Sequence, residues 1–148
     1  MNVIRIEIQD EQLDALFSRL INANLRLRPL MADIAEVMVA STRRRFDTKR
    51  GPDGVPWAAL APETIAEKID AGVPNPESIL ERWGYLRDLI NSNFGDDFAE
   101  VSSSRVYAAT HQFGRGGIPA RPFIGLSPED LQEIVEAARD YEATAAGQ

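Results

Sequence analysis

His111 is the only histidine in this 148-residue chain, and because imidazole titrates near neutral pH it is the first side chain to weigh for acid–base work. A catalytic base also needs an orienting partner and a nucleophile or water within reach. With no second histidine, there is no metal site or proton relay to build around it. Ser102, Ser103 and Ser104 lack the GxSxG setting of an activated nucleophile. Gly114-Arg115-Gly116-Gly117 has the glycines to cradle a phosphate, but neither the following Lys-Ser/Thr of a P-loop nor the spacing of a dinucleotide fingerprint. Asp96 and Asp97 read as turn formers, and Glu63, Glu67 and Asp70 as the solvated face of a short helix. Cysteine is absent, which removes disulfides, thiolate metal sites and cysteine nucleophiles. The residues thus predict no catalytic, cofactor-binding or metal site, and His111 is expected to serve packing or an interface.

The histidine lies in the least ordinary stretch of the chain, Val106 to Ser127, which combines three aromatics, four glycines, two prolines and two arginines. Gly114, Gly116 and Gly117 open backbone angles closed to other residues. Pro119 and Pro122 fix their own φ and push Ile118 and Arg121 toward extended geometry. A mobile tip followed by a stiff arm is expected, with Arg121 and Phe123 presented as a polar and an apolar anchor for a partner. The competing reading keeps Phe123 in its own core and pairs Arg121 with a carboxylate inside the same domain. Ser127-Pro128-Glu129-Asp130 then opens a helix, with Ser127 as N-cap, Asp130 placed for a capping box, and Leu126 and Leu131 as a hydrophobic staple.

The elements that must carry this stretch follow from periodicity. Val3 to Ile8 alternates as a strand. Asp10 caps a helix with Leu13, Leu16, Phe17, Leu20 and Ile21 on one stripe, and a longer helix runs from near Pro29 to about Phe46. Thr48 to Pro56 is dense in turn formers, and Trp57 after it is expected to pin the loop. Pro62 starts a short helix with Ile65, Ala66 and Ile69 inward, stopped by Gly72. A strand is expected from Tyr85 to Phe94, with Trp83 anchoring the turn before it. Gly95-Asp96-Asp97 is a hairpin turn, followed by a strand from Phe98 to Ser103. A helical turn is expected from Tyr107 to Phe113, and a last helix from Pro128 to about Thr144, with a tail from Ala143 that frays. The order predicts an α+β domain: a small, mostly antiparallel sheet with a long helix pair and a C-terminal helix packed against it.

The 44% hydrophobic and 26% charged composition is ordinary for a soluble globular protein, and the length suits one domain over residues 1–148. The alternating first segment is neither a signal peptide nor a membrane span, so a cytoplasmic setting is expected. A net charge of −7 argues against coating nucleic acid. The local exception is Arg43, Arg44, Arg45, Lys49 and Arg50, read as a solvated helix end that offsets the dipole or, secondarily, as a partner-binding patch.

Three segments resemble the tailed-phage virion morphogenesis family, which includes Mu-like and tail-completion proteins. They are Arg45-Phe46 with Gly54-Val55-Pro56-Trp57 and Leu60; Ile79-Leu80 through Gly84-Tyr85-Leu86; and Tyr107-Ala108 with His111-Gln112-Phe113-Gly114 and Ile118-Pro119-Ala120-Arg121-Pro122-Phe123. The resemblance spans nearly the whole chain, and the last segment is its most specific part. It implies a non-enzymatic structural protein, without cofactors, that acts in tail completion and head–tail joining. It further implies a homo-oligomeric ring at the neck or tail end, in contact with tail tube, tail terminator or head-completion proteins. Its setting would be the host bacterial cytoplasm during assembly and then the virion, with no membrane and at most weak nucleic-acid contact. Gly114, Arg115, Ile118, Pro119, Arg121, Pro122 and Phe123 become interface candidates, and Trp57, Trp83 and Tyr107 structural anchors. Two other readings are a DNA-contacting factor of the packaging or neck module using the Arg43–Arg50 cluster, and a small hydrolase using His111.

Overall fold

The computed structural model describes residues 10–80, 85–103 and 107–146. The expected strand at Val3–Ile8 and the anchor at Trp83 lie outside the described residues. Helix α1 (Glu11–Asn22) starts where Asp10 Oδ1 accepts from the backbone N–H of Leu13 at 2.9 Å, satisfying one of the orphan donors of the first turn. Leu13, Leu16 and Leu20 are buried. Ile21, expected on the same stripe, is exposed instead. At about 100° per residue it lies roughly 80° around the helix from Leu13, at the rim of the buried face.

Helix α2 (Arg28–Thr48) has Pro29 in its first turn and ends at Thr48, two residues beyond the expected stop, capped by Lys49 in the left-handed conformation. Most other elements are built on it. Its first half buries Leu30, Met31 and Ile34 against α1 and α6 (Pro128–Ala146), whose Ile134, Val135 and Ala138 complete the first core. Its last turn carries Phe46 into a second core with Trp57, Leu86, Ile90, Ala108, Phe123 and Ile124. The antiparallel hairpin of β1 (Ile90–Phe94) and β2 (Ala99–Ser103) also packs on α2, in a register running from Ile90 opposite Ser103 to Phe94 opposite Ala99. Helices and a small antiparallel sheet make this an α+β fold.

The expected long strand from Tyr85 is corrected. Residues Tyr85–Asp88 form a helical turn, α4, and pairing begins only at Ile90. β1 extends as far as it has partners in register, and the turn before it seats Leu86 in the second core, where helical spacing from Leu86 to Ile90 serves as well as alternation. Helix α5 (Ala108–Phe113) is the expected helical turn. The α6 start is a reciprocal capping box: Ser127 N–H donates to Asp130 Oδ2 and Asp130 N–H donates to Ser127 Oγ, each at 3.0 Å. The helix continues through Ala143 and Thr144, where fraying was expected. Its last turns are tied to α1 by the paired Arg19–Glu142 hydrogen bonds of 2.7 and 2.9 Å and to the connection between α1 and α2 by Tyr141 Oη donating to Arg26 O.

Helix α3 (Pro62–Asp70) departs from its sequence pattern. Ile65, Ala66 and Ile69 were expected inside. Ile69 is 59% exposed, Ala66 is exposed, and Lys68 is the buried residue of the helix. The Lys68 ammonium donates to Ser78 O at 2.8 Å, so the following loop, not a core, receives the inner face. Gly72, at φ 73°, ends the helix as expected.

Candidate functional site

The arm after the glycine tip, Ala120 to Ile124, pairs with no strand among the described residues, yet its backbone polar groups must be satisfied. Side chains do this. Gln112 on α5 accepts from both Phe123 N–H and Ile124 N–H through Oε1, each at 3.0 Å, and donates from Nε2 to Ile124 O at 2.8 Å. Arg45 on α2 donates to Phe123 O at 2.7 Å, Trp57 Nε1 donates to Pro122 O at 2.7 Å, and Arg121 N–H donates to His111 O at 2.6 Å. The Arg121 guanidinium turns the other way, giving hydrogen bonds to Ala58 O at 2.8 Å and Ala59 O at 3.0 Å. The arm is therefore riveted to α2, α5 and the segment after Trp57.

This geometry corrects part of the sequence reading. Arg121 and Phe123 are buried, Phe123 completely, and its ring packs on Phe46 at 5.6 Å between centroids. They hold the arm in place and are not offered to a partner, and Arg121 meets carbonyls where a carboxylate was considered. Burial lowers the Arg121 pKa from its ordinary value. Trp57 is buried edge-on to Phe46 at 5.7 Å. Tyr107, expected as an anchor, is 38% exposed and touches His111 edge-on at 5.9 Å, so it sits at the rim of the fold. Pro122 is half-buried.

The tip itself projects from this mount. Backbone bonds between Arg115 and Ile118, 3.0 and 2.9 Å long, close it into a turn, tighter than the loose run of glycines expected. Gly114 has φ 78°, and a Cβ there would come within 2.9 Å of Ala120 N, so glycine is required where the two limbs meet. Outside the turn, Phe113 is 61% exposed and Ile118 45% exposed, with Arg115 and Pro119 also exposed. Large apolar side chains beside a cation at the end of a braced loop suit binding.

Among the described residues, His111, the α3 carboxylates and the Asp96–Asp97 turn lie on separate elements. His111 Nδ1 is buried with no partner among the described residues. Burial pushes the imidazole below its usual range, and the nearby Arg121 charge pushes it in the same direction. Glu63, Glu67 and Asp70 are exposed, as are Asp96 and Asp97. Among the described residues, no three His, Cys, Asp or Glu side chains gather at metal-binding spacing, and no helix is long and apolar enough to cross a membrane. The Arg43–Arg50 cluster is also corrected, because Arg45 belongs to the interior. It meets Asp130 at 2.5 Å, Ser41 Oγ at 3.1 Å and Phe123 O. Burial lowers the Arg45 pKa, and attraction and hydrogen bonding to Asp130 oppose the shift. Arg44 and Arg50 line a cleft of about 370 Å³ with Asp53 and Glu129, so carboxylates match the cations there.

The riveting residues belong to the segments that carry the family resemblance, and the comparisons with known proteins decide the point. The description "Phage virion morphogenesis family" matches residues 8–141. The chain belongs to the phage virion morphogenesis family. It is 35% identical over 123 residues to capsid assembly protein G of Escherichia phage Mu, covering 77% of this chain and 78% of the relative. It is 33% identical over 147 residues to the Mu-like prophage FluMu G protein 2 of Haemophilus influenzae, covering 94% and 96%. Tail completion protein S of Escherichia phage P2 is 27% identical over 121 residues, covering 74% and 79%. No solved structure matches the chain. In this member of the virion morphogenesis family, Gln112 and Asp130 carry structural roles that sequence reasoning did not assign. Gln112 stood inside the quoted motif as the only amide able to bridge donors and acceptors there. Asp130 was read as a capping residue, and its second partner, Arg45, lies 85 positions away in sequence.

Proposed function

We propose that this protein is a non-enzymatic assembly subunit, acting as one domain, that completes the phage tail and takes part in joining it to the head, as a ring at the neck or tail end. The observation that carries this reading is the braced tip, where three arm carbonyls and two arm amides are held by Gln112, Arg45 and Trp57. This mount presents Phe113, Arg115, Ile118 and Pro119 outward. A preformed loop binds with less ordering cost than a floppy one. The names of the relatives support a place between two structures, since one is named for capsid assembly and another for tail completion. Tail tube, tail terminator or head-completion proteins are the partners, met in the host cytoplasm and retained at the virion neck or tail.

The test is complementation of a phage whose copy of this gene is disrupted. Wild-type protein should restore joined particles. Phe113→Glu or Ile118→Glu, with unchanged thermal melts, should leave filled heads and tails unjoined under the electron microscope. Normal particles made without the protein would refute the assembly role.

A further inference from the structure

The apolar face of α3 is turned outward, opposite to the pattern of an ordinary surface helix. Around the helix axis, Ala66 is flanked on one side by Pro62 and Ile69 and on the other by Glu63 and Asp70, while buried Lys68 occupies the opposite face. All five of those outward residues are exposed. Among the described residues, α3 is absent from the element pairs in close packing, which join α1, α2, α4, α6 and the hairpin. The face is therefore a short apolar strip edged with carboxylates, left uncovered in the single chain. The tip has the converse make-up: exposed Phe113, Ile118 and Pro119 around the cation of Arg115.

We propose that the tip of one copy seats on the α3 face of a second copy, with Phe113 and Ile118 against Ala66 and Ile69, and Arg115 facing Glu63 and Asp70. Opposite charges beside matched apolar surfaces select this pairing over tip-to-tip contact, which would oppose two arginines. The two surfaces are different patches of one chain, so the contact is head-to-tail, and repetition of such a contact closes into a ring when the rotation permits. This deepens the ring reading above and rests on it.

Sedimentation velocity of the full chain over a concentration series tests the pairing. Wild type should self-associate. Ile69→Glu and Phe113→Glu, both at exposed positions, should each weaken association at least tenfold with unchanged melting. An equimolar mixture of the two should form heterodimers and nothing larger, because one variant keeps an intact α3 face and the other an intact tip. Arg115→Glu should dissociate the assembly, and Arg115→Glu combined with Asp70→Arg should restore it. A monomeric wild type, variants that assemble like wild type, or a mixture that does not pair would overturn the proposal. Variants that self-associate normally but fail to make virions would assign the tip to a different virion protein, sinking the second-copy contact while leaving the assembly function standing. Particles formed without the protein would remove the function itself.

Discussion

Arg45 and Asp130 are buried partners, and the pair joins the end of α2 to the first turn of α6. Removing one charge strands the other, which typically costs about 3–5 kcal/mol. Arg45→Met should lower the urea midpoint by a corresponding amount. Arg45→Met with Asp130→Leu should recover only part of the loss, because Arg45 also serves Phe123 O and Asp130 also caps α6. Full recovery would show that the ion pair is the whole contribution. His111 gives a second prediction with a definite sign. Its folded pKa is depressed by burial and by Arg121, so the folded state resists a proton that the unfolded chain accepts. Above the unfolded value, about 6.5, the group is neutral in both states and costs nothing. As pH falls through that value toward the folded pKa, stability should be lost. His111→Gln should flatten the pH dependence of the urea midpoint on this acid side, and an unchanged slope would contradict the assignment.

At the scale of elements, the arm shows what replaces a sheet partner. A β-strand exchanges hydrogen bonds with a neighbour, whereas residues 121–124 take theirs from Gln112, Arg45, Trp57 and His111 O. Gln112→Leu would leave two N–H groups and one C=O buried and unpaired, each at about 1–3 kcal/mol. Hydrogen exchange should then speed up at Phe123 and Ile124 well before it does in α2. Trp57→Ala removes both a buried ring and a donor, and should cost about 3–5 kcal/mol in thermal or urea unfolding. Wild-type stability in that variant would move Trp57 out of the core. The tip should be less sensitive: Phe113→Ala and Ile118→Ala change exposed surface, so melts should stay near wild type while assembly suffers.

At the scale of the molecule, the charge of −7 and the internal position of Arg45 lead to the prediction of weak nucleic-acid contact. Fluorescence anisotropy with duplex DNA should show binding only at low salt and none at physiological ionic strength, where few neutralised phosphates no longer suffice. Tight binding there would revive a DNA-contacting role. Local rules fixed much of this architecture. The Asp10 cap, the α2 start at Pro29, the Gly72 stop, the hairpin turn and the Ser127–Asp130 capping box all follow from φ preferences and orphan amide donors within a few residues, so the chain determined them by itself. Contacts distant in sequence were not legible. Nothing near Arg45 indicates that its charge ends beside Asp130, and nothing near Arg121 indicates that its guanidinium is spent on Ala58 and Ala59 carbonyls. One arginine of a basic cluster and a pair of expected interface anchors became internal braces for that reason. The outward turn of Ile69 has the same origin. Periodicity records that a helix has an apolar face, but the packing of the other elements decides whether a core exists for that face to meet, and here Lys68 found the partner and Ile69 was left in solvent.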